Sequence, residues 1–324
     1  RACWHGDGRN RFYDKTLQFI VDASGRAGFL GEHAIADGSP SARMCDWMLT
    51  RIRKGTTAQR VSGHGGGRMK VLDFKLTIPL KSAIKSAETK FDGTVRDHQL
   101  SVLSVPTGRD AIKSVGVAPD AFVQMSLQLA FFRLSGGRCA ATYEASSTRA
   151  FLHGRTETIR SCSIESKKLC EAMSDGKASD KDRYAALLAA IDAHRAYSAM
   201  CSRALGVDRH LLGLKRALEP GEPVPAIFGD PAYDFTRTWE LSTSTLSSEL
   251  FESWGFGEVC EHGFGVGYTL NKNELSFVIV CRNEPKCGAG SGPSRAKHFG
   301  KELFDSLKTL HDLCAKMKKP AAKL

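Results

Sequence analysis

Three short segments carry side chains that could do chemistry. The first is Gly31-Glu-His-Ala-Ile-Ala-Asp-Gly38, which sets His33 in a loop just past a strand pattern, with Asp37 four residues on. An imidazole titrates near neutral pH and can take a proton from a hydroxyl or a thiol, and a nearby carboxylate can fix its orientation. A loop histidine taken alone is more often a plain surface residue. The second is Leu241-Ser-Thr-Ser244, which as an extended segment points Ser242 and Ser244 to one face and Thr243 to the other. Two hydroxyls on one face can hold a substrate and donate to a developing oxyanion, although a Ser/Thr-rich edge strand or turn is the commoner case. The third is Gly154-Arg-Thr-Glu-Thr-Ile-Arg160, where alternation sets Arg155, Glu157 and Ile159 opposite Thr156, Thr158 and Arg160. Thr156 could bind a small polar ligand, and a solvated strand face is the default.

Other candidates are weaker. Cys260-Glu-His262, with Cys281 and Cys287, offers soft ligands at a spacing that matches no standard zinc pattern. The ten cysteines contain no Cys-x-x-Cys pair and read as reduced thiols. His64-Gly-Gly-Gly67 resembles the amide loop of some esterases, but no Gly-x-Ser-x-Gly elbow accompanies it.

The elements that must position these groups can be read in part. Thr16–Val21 and Ala27–Gly31 form a hairpin through Asp22-Ala-Ser-Gly25. Ser39 suits an N-cap and Pro40 the first position of a helix that ends near Lys54-Gly55. Residues 55–70 are Gly-rich and polar, a flexible connector, and a domain boundary follows it. A helix covers Asp120 to Leu134, and one long helical tract runs from Asp182 to about Leu214. Gly265–Leu270 and Leu275–Val280 form a second hairpin, and Phe299 to Met317 gives a last amphipathic helix. Alternating strands and helices place the chain in the α/β or α+β class.

Composition narrows the function. With 324 residues, 42% apolar and 25% charged, the chain is long enough for about two domains and has no reason to be generally disordered. No apolar run reaches the roughly 18 residues needed to cross a bilayer, so no transmembrane segment is expected. Lys and Arg number 46 against 35 Asp and Glu, a net +11 that suits an anionic partner. That charge is scattered and accompanies no nucleic-acid module, so nucleic acid ranks low. The sequence opens without Met and without a leader, which suggests a true N-terminus upstream.

Read in order, these pieces resemble the choline/carnitine O-acyltransferase family, most of all its carnitine-acetylating branch. The resemblance starts at NRFYDKTLQFIV (10–21) and runs through GEHAIADG (31–38), PDAFVQMSLQLAFFRLSGGRCAATYEAS (119–146), GRTETIRS (154–161), DRHLLGLK (208–215), LSTS (241–244) and GFGEVCEHGFGVGY (255–268). It implies two related α/β domains around a tunnel, with residues 1–71 as the tail of the first domain plus linker and 72–324 as most of the second. It implies carnitine and acyl-CoA as substrates, CoA as a co-substrate, and no tightly bound cofactor or metal. His33 becomes the general base, with no acyl-enzyme, Ser244 the oxyanion donor, and Asp37 the support of the loop. Tyr143, Thr156 and Arg209 match the group that binds the carnitine carboxylate, Ser242 faces carnitine, and Phe256 faces its trimethylammonium. Arg109 and Lys113 match basic positions that meet CoA phosphates, with Arg where the family usually has Lys, and Asp120 matches a CoA-contacting acid. Arg209 with Thr156 favours carnitine over choline, and Trp254 fills the space of a longer acyl chain, which favours acetyl. A non-catalytic CoA- or carnitine-binding fragment and a medium- or long-chain acyltransferase are the alternatives. Ala322-Lys-Leu324 resembles a peroxisomal address read by the import receptor. The expected location is the peroxisome, with a mitochondrial pool as the second option.

Overall fold

The computed structural model describes residues 2–56, 70–283 and 295–318. Most of the expected connector, the His64 loop, Cys287 and Ala322-Lys-Leu324 lie outside them. The chain divides into two compact units, Arg1–Asp97 and His98–Leu324.

In the first unit, strands β1 (Leu17–Val21) and β2 (Ala27–Gly31) pair antiparallel, Leu17 opposite Gly31. Their turn closes on the Asp22 carboxylate, which accepts from the Ser24 and Arg26 amides at 2.9 and 3.0 Å, and Gly25 supplies the positive φ of +82°. Helix α1 (Gly38–Arg53) starts earlier than Ser39 suggests. Asp37 occupies the cap position, and Pro40 lies inside the first turn. Helix α2 (Ile78–Arg96), for which the sequence pattern offers no clear signal, opens on Thr77, whose side chain accepts from Leu80 N.

The second unit runs β3 (His98–Val105), α3 (Arg109–Ser114), α4 (Pro119–Leu134), β4 (Thr142–Ser147), β5 (Thr156–Ile159), α5 (Ile164–Ser174), α6 (Asp180–Cys201), α7 (Val207–Arg216), α8 (Pro231–Phe235), β6 (Leu241–Thr245), β7 (Phe264–Leu270), β8 (Leu275–Arg282) and α9 (Arg295–Met317). Its strands form one mixed sheet in the order β3-β8-β7-β6-β4-β5. The β4–β6 and β6–β7 pairs are parallel and the others antiparallel. The α/β class expected from the sequence is therefore observed.

The sheet's core face is covered by helices. α4 is buried over most of its length because it is apolar nearly all round, and it packs beside the apolar stripe of α9. Phe264 of β7 stacks on Phe299 of α9 at 4.5 Å and meets Phe131 of α4 edge-on at 6.5 Å.

Three expectations are corrected here. The tract from Asp182 to Leu214 is two helices, interrupted at residues 202–206, where Ala204 has a φ of +57°. A Cβ on Gly206 would come within 2.5 Å of the Glu157 side chain, so glycine is what lets the interruption lie against β5. β5 is not a solvated face, since Glu157, Thr158 and Ile159 are all buried. Leu241–Thr245 is an interior strand, hydrogen-bonded to β4 on one side and β7 on the other, rather than an edge or a turn.

Candidate functional site

The three residues expected to hold a carboxylate come from β4, β5 and α7 and meet in space. Tyr143 Oη lies 3.3 Å from Thr156 Oγ1, which donates in turn to the Ser146 carbonyl at 3.1 Å. The Arg209 guanidinium stands 6.0 Å from the Tyr143 ring centre. Arg209 Nη1 donates to Asp208 Oδ2 at 2.5 Å and to Thr158 Oγ1 at 3.3 Å, and its backbone amide donates to the buried Glu157 carboxylate at 3.2 Å. Arg160 donates to the other Asp208 oxygen at 2.6 Å. Asp208 thus spaces two guanidinium groups, and Arg209, about a third exposed at 35%, keeps donors open to a small anion.

On β6, register places Ser242 beside Tyr143 of β4 and Gly265 of β7, and Ser244 beside Gly267. Ser242, Ser244 and Tyr143 therefore share the sheet face away from α4, while Thr243 and Glu144 face the helices. Ser242 is buried and Ser244 is half-buried.

The segment 254–257 crosses that outer face at close range. A Cβ on Gly267 would come within 2.7 Å of the Trp254 carbonyl, and one on Gly265 would collide with the Gly257 carbonyl. Glycine at both positions is what lets the segment lie down. Trp254 Nε1 donates to the Tyr268 carbonyl at 2.9 Å, and its ring sits 5.6 Å from Phe256. Glu258 fastens the end of the segment to His98 at 2.9 Å and to Arg282 at 3.2 Å.

Arg109, Lys113 and Asp120 are arranged differently. Arg109 in α3 donates to the Leu270 carbonyl at 3.0 Å and pairs with Glu249 at 3.1 Å. Lys113 is exposed in the last turn of the same helix. Asp120, half-buried at the start of α4, accepts from Tyr268 Oη at 2.8 Å. His33 and Asp37 belong to the first unit. His33 lies in the loop between β2 and α1, 77% exposed, with Nδ1 3.9 Å from Asp37 Oδ1. Glu32 Oε1 braces that loop by accepting from the Ala34 amide at 2.8 Å.

The sequence reading missed a buried polar pair. His194 Nε2 of α6 lies 2.7 Å from Glu144 Oε2 of β4, and Ser161 Oγ donates to the same oxygen at 3.1 Å. Burial pushes the Glu144 carboxyl up to about 7, against the pull of His194. Burial also opposes a charged His194, but the hydrogen bond and charge of Glu144, aided by Asp120, win and raise it. Both shifts express one fact: the pair holds a proton tightly. Asp120, Glu144 and His194 have ligand atoms within 4.8 Å of one another, the one such grouping among the described residues. In that grouping His194 Nε2 and Glu144 Oε2 already share a proton. His194 was legible only as the next member of the Leu187–Ile191 stripe, at helical spacing.

The profile of the family described as Choline/Carnitine o-acyltransferase matches residues 1–304. The chain is 36% identical, over 98% of its length, to the mitochondrial carnitine O-acetyltransferase of Saccharomyces cerevisiae, of which it spans 48%. It is 36% identical over 93% of its length to the carnitine O-acetyltransferase of Homo sapiens, spanning 49% of it. To the human mitochondrial carnitine O-palmitoyltransferase 2 it is 32% identical over 95% of its length and 46% of the relative's. The chain spans about half the length of the curated relatives it matches.

Proposed function

Since the chain belongs to the choline/carnitine O-acyltransferase family, we propose that it carries the acceptor-binding and catalytic residues of an enzyme that moves an acetyl group between CoA and the 3-hydroxyl of carnitine. The observation that carries this reading is the Tyr143–Thr156–Arg209 cluster beside Ser242. It combines a guanidinium, two hydroxyls and an aromatic ring, donors suited to a carboxylate.

His33 takes the proton of the carnitine hydroxyl, and the oxygen attacks the thioester carbonyl. Ser244 donates to the oxyanion that forms. Collapse breaks the C–S bond, and the CoA sulfur leaves with the proton held by His33, so no acyl-enzyme is needed. Asp37 supports the His33 loop, and Phe256 faces the trimethylammonium. Trp254 ends the acyl pocket and so favours acetyl over longer chains. Arg109, Lys113 and Asp120 serve CoA, the first two through its phosphates, and CoA acts as a co-substrate rather than a bound cofactor. In this reading residues 1–71 close a first domain and 72–324 build most of a second. Ala322-Lys-Leu324 addresses the protein to the peroxisome, and a mitochondrial pool is the competing location.

The test is thiol release from acetyl-CoA in the presence of carnitine, on the full-length protein and on its His33→Ala variant. Carnitine-dependent release in the wild type, lost in the variant with CoA binding intact, is the expected result. A wild type that releases no thiol, or a variant that keeps its rate, overturns the assignment.

A further inference from the structure

We infer that Gln124 is a positioning residue for this acyl transfer, acting through Thr243 to hold the strand that carries Ser242 and Ser244. The inference rests on the functional reading above and adds a residue on the opposite side of the sheet.

α4 has twelve buried residues, of which only Gln124, Ser126 and Gln128 are polar. Ser126 spends its hydroxyl on its own helix, at Phe122 O. The two glutamines, one turn apart and hence on one helix face, reach across instead. Gln124 Nε2 donates to Thr243 Oγ1 of β6 at 3.0 Å, and Gln128 Nε2 donates to Thr142 Oγ1 of the adjacent β4 at 2.9 Å. Thr243 passes the bond on, donating to the Tyr143 carbonyl at 2.9 Å. The second Gln124 hydrogen goes to Tyr268 Oη of β7 at 3.0 Å. One amide group thus ties α4 to β6 and β7 and, through Thr243, to the backbone of Tyr143.

Stability alone does not account for this arrangement. Apolar side chains of the same shape in place of a buried hydrogen-bonded pair can be nearly neutral. Gln124 Oε1 is buried without a hydrogen-bond partner among the described residues, in a side chain with no exposure. Buried oxygens of this kind are uncommon and call for an explanation, which the donors on the same amide supply. Apolar contact sets the spacing between helix and sheet but is indifferent to small lateral slips, whereas directional bonds are not. The strand so fixed turns Ser242 and Ser244 to the other face, where a donor must meet an oxyanion within a fraction of an ångström.

The experiment compares Gln124→Met, Thr243→Val, their double variant and Thr243→Ser in the full-length protein. It measures kcat and both KM values for acetyl transfer to carnitine, the melting temperature, and amide hydrogen exchange over Leu241–Thr245. The expected result is a kcat lowered about 10- to 100-fold in both single variants and no further in the double, with the KM for acetyl-CoA unchanged. The double variant should melt below the wild type by less than the two single shifts summed, since the Gln124–Thr243 bond is lost once while Tyr268 Oη and the Tyr143 carbonyl each lose a partner. Thr243→Ser should restore kcat, and exchange over β6 should quicken in Gln124→Met. A double variant with wild-type kcat, or a loss of rate that merely follows loss of folded protein, overturns the proposal. Should the wild type transfer no acyl group, the functional reading falls by itself. Exchange over β6 then decides, and an unchanged rate in Gln124→Met overturns the positioning role.

Discussion

Arg209 is held on one side and open on the other. Asp208 and Thr158 fix its reach, so Arg209→Asn, which leaves a shorter and neutral side chain, removes a preset charge rather than a wandering one. Carnitine should then bind more weakly by about 2 kcal/mol, roughly 30-fold, the scale of a hydrogen bond to a charged group in a partly solvated site. Choline lacks the carboxylate and should lose little, so the ratio of kcat/KM for the two alcohols is the measurement. A ratio that does not move toward choline makes Arg209 structural. Glu144 gives a pH signature. Its folded-state value lies above the ordinary 4.5, so the protonated carboxyl contributes stability that is full below 4.5 and is lost as the pH rises through about 7. Urea midpoints should fall between pH 5 and 8, and Glu144→Gln should flatten that fall. An identical pH profile in the variant would remove Glu144 as its source. At this scale the sequence was half legible. His33, Ser242 and Ser244 stand out by type and alternation and take their proposed roles from the resemblance, whereas Glu144 and His194 come from distant positions and are joined only in the fold, at 2.7 Å.

The elements explain the rest. β1–β2, α4, β7–β8 and α9 were readable because each carries a local signal: Asp22 and Gly25 in the turn of the first hairpin, Pro119 at the entry of the apolar α4, and the apolar stripe of α9. The break between α6 and α7 was not read, although Gly206 lies in it, where the Glu157 side chain of β5 leaves no room for a Cβ. β5 itself misled because buried Thr158 and Glu157 find partners in Asp208 and in the amide of Arg209, and polar residues with partners inside a fold look like surface ones in a sequence. The glycines of β7 carry a prediction. Gly267→Ala puts a methyl group against the Trp254 carbonyl, which should cost about 1 to 3 kcal/mol of stability as overpacking and lift the 254–257 segment. With the indole displaced, activity on hexanoyl-CoA should rise relative to acetyl-CoA. A lowered melting temperature with an unchanged acyl preference would show that Trp254 does not end the pocket.

At the scale of the whole molecule, the family profile covers residues 1–304, and the proposed address lies beyond it. If Ala322-Lys-Leu324 is an address, it works only at a free end. Residues appended after Leu324 should move a tagged full-length protein out of peroxisomes without altering its acyl transfer, and unchanged localisation would retire the claim. The sheet order has a consequence for how the chain is made. β3 is the first strand of the sheet in sequence, yet its one neighbour among the described residues is β8, Val105 opposite Leu275. Synthesis at about 5 to 20 residues per second leaves that strand waiting on the order of ten seconds before its neighbour leaves the ribosome. For that interval the nascent chain carries an unpaired eight-residue edge, open to any other extended segment nearby. The edge closes only when Leu275–Arg282 arrive.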